Sequence, residues 1–248
     1  MNLFKLTAQR LLPVPVQNLL RGRLPTWKRW RTACWLRLGK TEPLRRDFGA
    51  EDGQPIDRYY IEQFLSQYAT DIHGHVLEVG DNDYTRRFGS DRVTHSDVLH
   101  VSPDHLKATI IGDLTSADHI PSETFDCIIL TQTLQYPYHI LKAIRTCYRI
   151  LKSGGVILVT LPGIQQIDRE DMEAYGEYWR FTTLSAHRLF TEYFPDDCVT
   201  VQSYGNVLAA MAFLYGVVTE ELKPHQLDLQ DRDYEMTITV RAVKPFEK

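Results

Sequence analysis

The feature that most constrains this chain is an alternation. Five short runs, HVLEV (75–79), RVTHSD (92–97), ATIIGD (108–113), FDCIILT (125–131) and GVILVTL (155–161), are apolar and rich in β-branched residues. That is the pattern of strands covered on both faces. Helical sequence surrounds them. Tyr60, Ile61, Phe64, Leu65 and Tyr68 recur at three- and four-residue spacing after Asp57, an expected cap, and Gly74 closes that unit. Ile140, Leu141, Ile144, Tyr148 and Leu151 form one apolar helix face ended by Gly154 and Gly155. Strands and helices alternating at these lengths predict an α/β fold with a parallel, doubly wound sheet. Downstream, a helix is expected over 180–194, capped by Thr182 or Thr183, then a strand at 198–205, a helix at 206–222 and a strand at 236–244. The sheet is then seven-stranded and mostly parallel, with an antiparallel C-terminal edge. No internal repeat is present.

Composition supplies the rest of the frame. The 248 residues are 43% apolar, enough for a full core and too apolar for a disordered tail protein. Charge is unevenly spread: residues 1–49 carry eleven Lys and Arg against Glu42 and Asp47, leaving 17 basic and 30 acidic residues for the remainder. Residues 1–54, punctuated by Pro13, Pro15, Pro25 and Pro43, are expected to form a basic helical N-terminal arm or lid. Residues 55–248 are expected to form the main domain, with a helical insertion at about 206–235. Trp27, Trp30 and Trp35 interleave with Lys28, Arg29, Arg31 and Arg37. This mixture suits a helix packed on the acidic body, or contact with an anionic membrane surface. The acidic body and the lack of a recognition module speak against nucleic acid as a partner. Cys34, Cys127, Cys147 and Cys198 are widely separated and read as reduced thiols, with no metal site expected. No run is long enough to span a membrane and the start lacks a signal-peptide core, so a cytoplasmic protein is expected.

In open α/β sheets, ligands bind beyond the carboxyl ends of the strands. Those ends are polar here: Glu78 and Gly80 close the first run, Asp97 and Val98 the second, Asp113 and Leu114 the third, and Thr131 and Gln132 the fourth. Asp97 follows Gly80 by 17 residues, close to the interval at which an acid takes the ribose hydroxyls of a nucleotide. Asp113 could accept an adenine amino group while Leu114 packs on the ring. The loop GDNDYTRRFG holds Asp81 and Asp83 where a dinucleotide site would have glycines and phosphates. Acids there suit S-adenosylmethionine, which carries a sulfonium and an ammonium but no phosphate.

VLEVGDNDYTRRFG, HSDV, GDLT, FDCIILTQTLQY and RILKSGGVILVTLPG resemble, in order and spacing, the successive motifs of class I S-adenosylmethionine-dependent methyltransferases of the type 11 group. The resemblance covers roughly 55–245 and implies a Rossmann-like fold. FGAEDGQPIDRYYIEQFL and GEYWRFTTLSAHRLF further resemble a bacterial subgroup, common in cyanobacteria and linked to glycan or secondary-metabolite pathways. Carried over, Glu78, Gly80 and Asp81 belong to the methionine-binding turn, Asp97 and Val98 to the ribose site, and Asp113 and Leu114 to the adenine site. Thr131 and Gln132 would border the methyl-transfer cleft. The departure from the family is the turn, which keeps only Gly80 before Gly89.

On the acceptor side, His139, at the expected cleft lip, is the first candidate for a general base, while His187 reads as a helix residue. Glu177, Tyr178, Trp179 and Arg180 follow the fifth run and offer catalytic polar groups, Glu177 and Arg180, beside an aromatic wall. Tyr59, Tyr60, Tyr136 and Tyr204 complete the candidate substrate contacts, and helix 206–222 could cover the cleft or join two copies. The expectation is an enzyme methylating oxygen or nitrogen of a small molecule, as a monomer or homodimer. A non-catalytic scaffold using the basic arm and, less favoured, a nicotinamide-dependent oxidoreductase are the competing readings.

Overall fold

The computed structural model describes residues 41–246. Seven strands, β1 (Gly74–Val79), β2 (Val93–His100), β3 (Ile110–Ile111), β4 (Phe125–Thr131), β5 (Leu151–Pro162), β6 (Val199–Tyr204) and β7 (Thr237–Val243), form one sheet in the order β3-β2-β1-β4-β5-β7-β6. Every pairing from β3 to β5 is parallel, and β7 is antiparallel to both β5 and β6. The doubly wound sheet read from the sequence is therefore present, with its antiparallel strand one position in from the edge. Strand order reverses between β1 and β4, which opens a crevice beyond Val79 and Thr131.

Period-two alternation divides the core into layers. Val76, Cys127 and Ile129 pack under α1 (Ile56–Gln67) with Ile61, Phe64 and Leu65. Leu77, Ile128 and Leu130 point the other way, into a cluster with α2 (Ile140–Ile150) and α4 (Thr183–Thr191). A third cluster joins α1 to α5 (Val207–Leu214) and α6 (Pro224–Asp228) through Ile56, Tyr60, Phe213 and Leu227. Among the described residues, no helix is long and apolar enough to cross a membrane.

Several boundaries differ from expectation, each for a local reason. Helix α1 starts at Ile56 after Pro55, so Asp57 lies inside the first turn; its carboxylate is buried and accepts from the Arg58 amide (2.8 Å). Helix α2 stops at Ile150 because Leu151 already pairs with Phe125 in β5. Helix α5 ends at Leu214, ahead of Gly216 at φ +70°, and a separate short α6 follows. Helix α3 (Arg169–Tyr175) escaped the sequence reading; Asp168 caps it by accepting from the Glu170 and Asp171 amides. The β1–β2 link holds a π-helical turn, Thr85–Gly89, followed by a 3-10 turn, Ser90–Arg92, and no helix joins β2 to β3 or β3 to β4. Leu114, Ala117 and Ile120 bury themselves in place of that last helix.

The expected boundary at residue 54 is also corrected. Leu44 and Phe48 pack into the α1–α5 cluster, Phe48 against the Phe213 ring at 5.5 Å. Arg45 pairs with Glu221 at 3.1 Å, and Pro55 bridges to Val218. Residues 44–53 thus belong to the domain, whereas the Trp27–Arg37 stretch and Cys34 lie outside the described residues.

Candidate active site

The floor of the crevice is built from the turn after β1. Glu78 is 1% exposed and faces the α1 side of the sheet. Its Oε2 accepts from the Thr85 amide (2.8 Å) and hydroxyl (2.7 Å), and its Oε1 from the Tyr84 amide (3.3 Å). Burial raises its pKa to about 7 against the opposing pull of the Thr85 hydrogen bonds. Side chains replace the missing glycines in shaping this loop. Asp81 Oδ1 accepts from the Asp83 amide (3.0 Å), and Asn82 donates to the Ser96 hydroxyl (3.2 Å). Gly80, at φ +92°, has nothing within 4 Å of where a Cβ would stand. Its left-handed backbone and bare surface leave room for a ligand to approach the chain closely.

Arg58 flanks the turn from α1. Its Nη1 donates to the Tyr84 hydroxyl at 3.1 Å, and its charge is sensed by Asp57 and Asp81. Beside Gly80, whose amide donates to Leu99 O, stands His100 at the end of β2. Its Nδ1 accepts from the Ser102 amide (3.0 Å), so the neutral ring carries its proton on Nε2. Burial and the His105 ring stacked at 4.1 Å lower the His100 pKa. The Gly112 amide donates to His100 O and brings Asp113, exposed beyond β3, next to it; Leu114 is buried behind.

At the end of β4, Gln132 sits at φ +48°, a strained setting for a non-glycine residue. Its Oε1, the Oε1 of Gln135 and the Nδ1 of His105 are buried without a hydrogen-bond partner. Two amide oxygens without donors, and an imidazole nitrogen whose role depends on its tautomer, are groups that a polar ligand would satisfy. Helix α3 roofs this region: Tyr136 donates to Asp171 at 2.5 Å, and Tyr175 meets the rings of Tyr136 and His100 edge-on at 6.1 Å each. Burial and Asp171 push the Tyr136 phenol well above its usual pKa, so it remains a donor.

Residues 47–159 match the family model described as a methyltransferase domain. No curated protein matches the chain in sequence. Among solved structures, the fold resembles a SAM-dependent methyltransferase from Archaeoglobus fulgidus at 10% identity and TM-score 0.50, covering 76% of this chain and 94% of that one. The cyclase SpnF aligns at 19% identity and TM-score 0.51, covering 77% and 82%. Haemonchus contortus phospholethanolamine N-methyltransferase 2, in complex with phosphomonomethylethanolamine and S-adenosylhomocysteine, aligns at 14% identity and TM-score 0.50, over 75% and 53%. The sheet is the Rossmann-like methyltransferase fold. A cyclase on the same fold shows that architecture alone does not set the reaction.

Of the residues singled out in the sequence, Glu78, Gly80 and Asp81 lie at the end of β1, Thr131 and Gln132 at the end of β4, Asp113 and Leu114 just after β3, and Tyr136 under α3 through Asp171. Asp97 and Val98 stand further back along their strand. β2 runs on to His100, so Asp97 pairs with Leu77 and Val98 with Glu78, short of the strand end. The Asp97 carboxylate is engaged by His75 Nε2 (2.7 Å) and Thr109 Oγ1 (2.6 Å). Burial opposes its ionisation, but those two partners prevail and hold its pKa below the usual value. Val98 is 1% exposed and belongs to the core. The residue at the strand end, 20 positions after Gly80, is His100, which an acid-seeking search passes over.

The acceptor-side candidates also separate. Tyr60 is fully buried, its hydroxyl on Leu227 O (3.0 Å) and its ring stacked on the half-buried Tyr204, so both rings bind helix to sheet. Tyr59 is tied to Asp228 at 2.6 Å. The Glu177 carboxylate is buried, pairs with Arg180 at 2.7 Å and accepts from the Asp168 amide. Arg180 also donates to Gln166 O and Trp179 O, so the pair fastens a loop. Trp179 and Tyr178 do form a wall: Tyr138 stacks on Trp179 at 6.0 Å and meets Tyr178 edge-on at 5.3 Å, all three exposed. His139, exposed at the N-terminus of α2, lies against Tyr138 at 5.3 Å. Arg58, His100 and Gln135 were not among the residues that the motifs singled out.

Proposed function

We propose that the chain is an S-adenosylmethionine-dependent methyltransferase acting on an oxygen or nitrogen of a small-molecule acceptor, such as a secondary metabolite or the sugar of a glycoconjugate. The observation that carries this reading is the β1 turn, built by a buried carboxylate around a bare Gly80 and lined with acids in place of phosphate-cradling glycines. The unpaired oxygens of Gln132 and Gln135 fit the donor-rich character of such a cofactor. When bound, S-adenosylmethionine supplies an electrophilic methyl group, leaving the protein to orient the acceptor and exclude water.

In this reading, Gly80 admits the methionine end of the cofactor, with Arg58 near enough to face its carboxylate and Asp81 its cations. His100, donating from Nε2, replaces Asp97 as the ribose partner. Asp113 takes the adenine amino group and Leu114 supports the ring, while Thr131 and Gln132 border the cleft. The Tyr138–Tyr178–Trp179 face gives an acceptor a flat apolar surface. His139 beside it is the base available to a hydroxyl acceptor, a role an amine acceptor barely needs.

Calorimetric titration with S-adenosylhomocysteine and with NAD tests the cofactor. The expected result is saturable binding of the first alone; NAD binding without S-adenosylhomocysteine binding would overturn the reading. Labelled S-adenosylmethionine incubated with an extract of the source cells should then mark a small molecule.

A further inference from the structure

We propose that His75, His95 and Asp97 form a binding site for one divalent cation of the zinc class, separate from the crevice, that clips β1 to β2. The register makes His75 and His95 direct cross-strand partners. Asp97, two residues beyond His95, falls on the same face of the sheet. Among the described residues, this is the one group of three or more His, Cys, Asp or Glu side chains whose ligand atoms converge, all within 4.8 Å of one another. Asp97 Oδ2 lies 2.7 Å from His75 Nε2 and 3.6 Å from His95 Nε2. Ligands around a tetrahedral zinc ion stand about 3.3 Å apart, so small side-chain rotations would close the shell.

The surroundings resemble those of a metal site more than those of a plain ion pair. The Thr109 hydroxyl occupies Asp97 Oδ1 at 2.6 Å and leaves Oδ2 turned toward both imidazoles. The Phe125 ring packs edge-on against His75 at 4.7 Å and fixes its plane. Such outer contacts are what orient ligands at protein metal sites. The His95 side chain is 64% exposed, which gives an ion a path in and a water a place to complete the coordination. The link that crosses this face of the sheet is the one from β3 to β4, which has no helix and covers it only through Leu114, Ala117 and Ile120. Two neutral imidazoles and one carboxylate are a donor set that zinc and its neighbours prefer over magnesium or calcium.

The test uses the full chain, stripped with a chelator and titrated with zinc chloride against a chromogenic competitor. One ion per chain is expected, with a rise in thermal midpoint. His95→Gln, at an exposed position that threatens no core contact, should weaken zinc binding tenfold or more, as should Asp97→Asn. His187→Gln, which alters another exposed histidine–carboxylate pair, should leave it unchanged. Circular dichroism of each variant verifies that it is folded. The proposal is overturned if the wild-type chain takes up no zinc, if His95→Gln and Asp97→Asn retain full affinity, or if the loss follows His187→Gln.

Discussion

Glu78 stands at the point where a single carboxyl group joins stability to the site. In the folded chain its pKa is about 7, against an ordinary value of 4.5. Between those values the folded state binds more protons than the unfolded one, so this group's stabilising contribution is fully present below 4.5 and lost as pH rises through 7. Urea denaturation of wild type and Glu78→Gln should therefore show wild type losing roughly 3 kcal/mol relative to the variant across that window. A flat difference would mean that the carboxyl titrates normally. For the nucleoside site, His100→Ala should weaken S-adenosylhomocysteine binding by roughly tenfold, the loss of a charge-free hydrogen bond with some packing. Asp97→Asn should leave it near wild type, and calorimetry distinguishes the two. Spacing from Gly80 picks out Asp97 because it counts residues, whereas β2 itself runs on to His100. Nothing in VTHSDVLH marks His100 as the final strand residue, because that strand's lower half is solvent-facing and its polar residues look like a turn.

At the level of elements, the legible ones were those with an apolar period. Helix α2 and strands β4 and β5 announce themselves through Ile140, Ile144 and the Ile128–Leu130 and Ile157–Val159 runs, all buried, although Leu141 of the expected helix face is exposed and Leu151 belongs to β5. Helix α4 was legible in place, with its cap narrowed to Thr182 or Thr183; it starts at Thr183 and Thr182 is the cap. Thr182 accepts from the Ser185 amide while the Ser185 hydroxyl takes the Thr182 amide, a reciprocal cap. Thr182→Ala should cost about 1 kcal/mol in chemical denaturation, with no change in S-adenosylhomocysteine affinity. Helix α3 was not legible, because REDMEAY has no buried residue and is held by Asp168 and the Tyr136–Asp171 bond. Its position over the strand ends comes from contacts 35 residues apart in sequence, which periodicity cannot register. The same limit hid the turn at Thr85–Gly89, whose close fit of Gly89 against Ile72 and Val93 leaves no room for a side chain.

For the molecule as a whole, the domain starts earlier than its charge distribution suggested, because Phe48 and Leu44 complete a core whose other half lies beyond residue 200. Phe48→Ala should destabilise the domain by about 2 kcal/mol, below the figure for a fully buried ring; a detached arm would show no effect. Charge marked a compositional border and packing sets a different one. The order of the sheet was legible in outline, since five β-runs with a helical crossover permit few arrangements, but the place of β7 was not. That place has a temporal side. β6 hydrogen-bonds to β7 alone, and β7 follows it in the chain with a helical segment between. While the chain is being synthesised, β6 emerges with no neighbour to join and β5 keeps an open edge until residues 237–243 arrive to fill the gap between them. Loss of that one segment would remove both strands from the sheet.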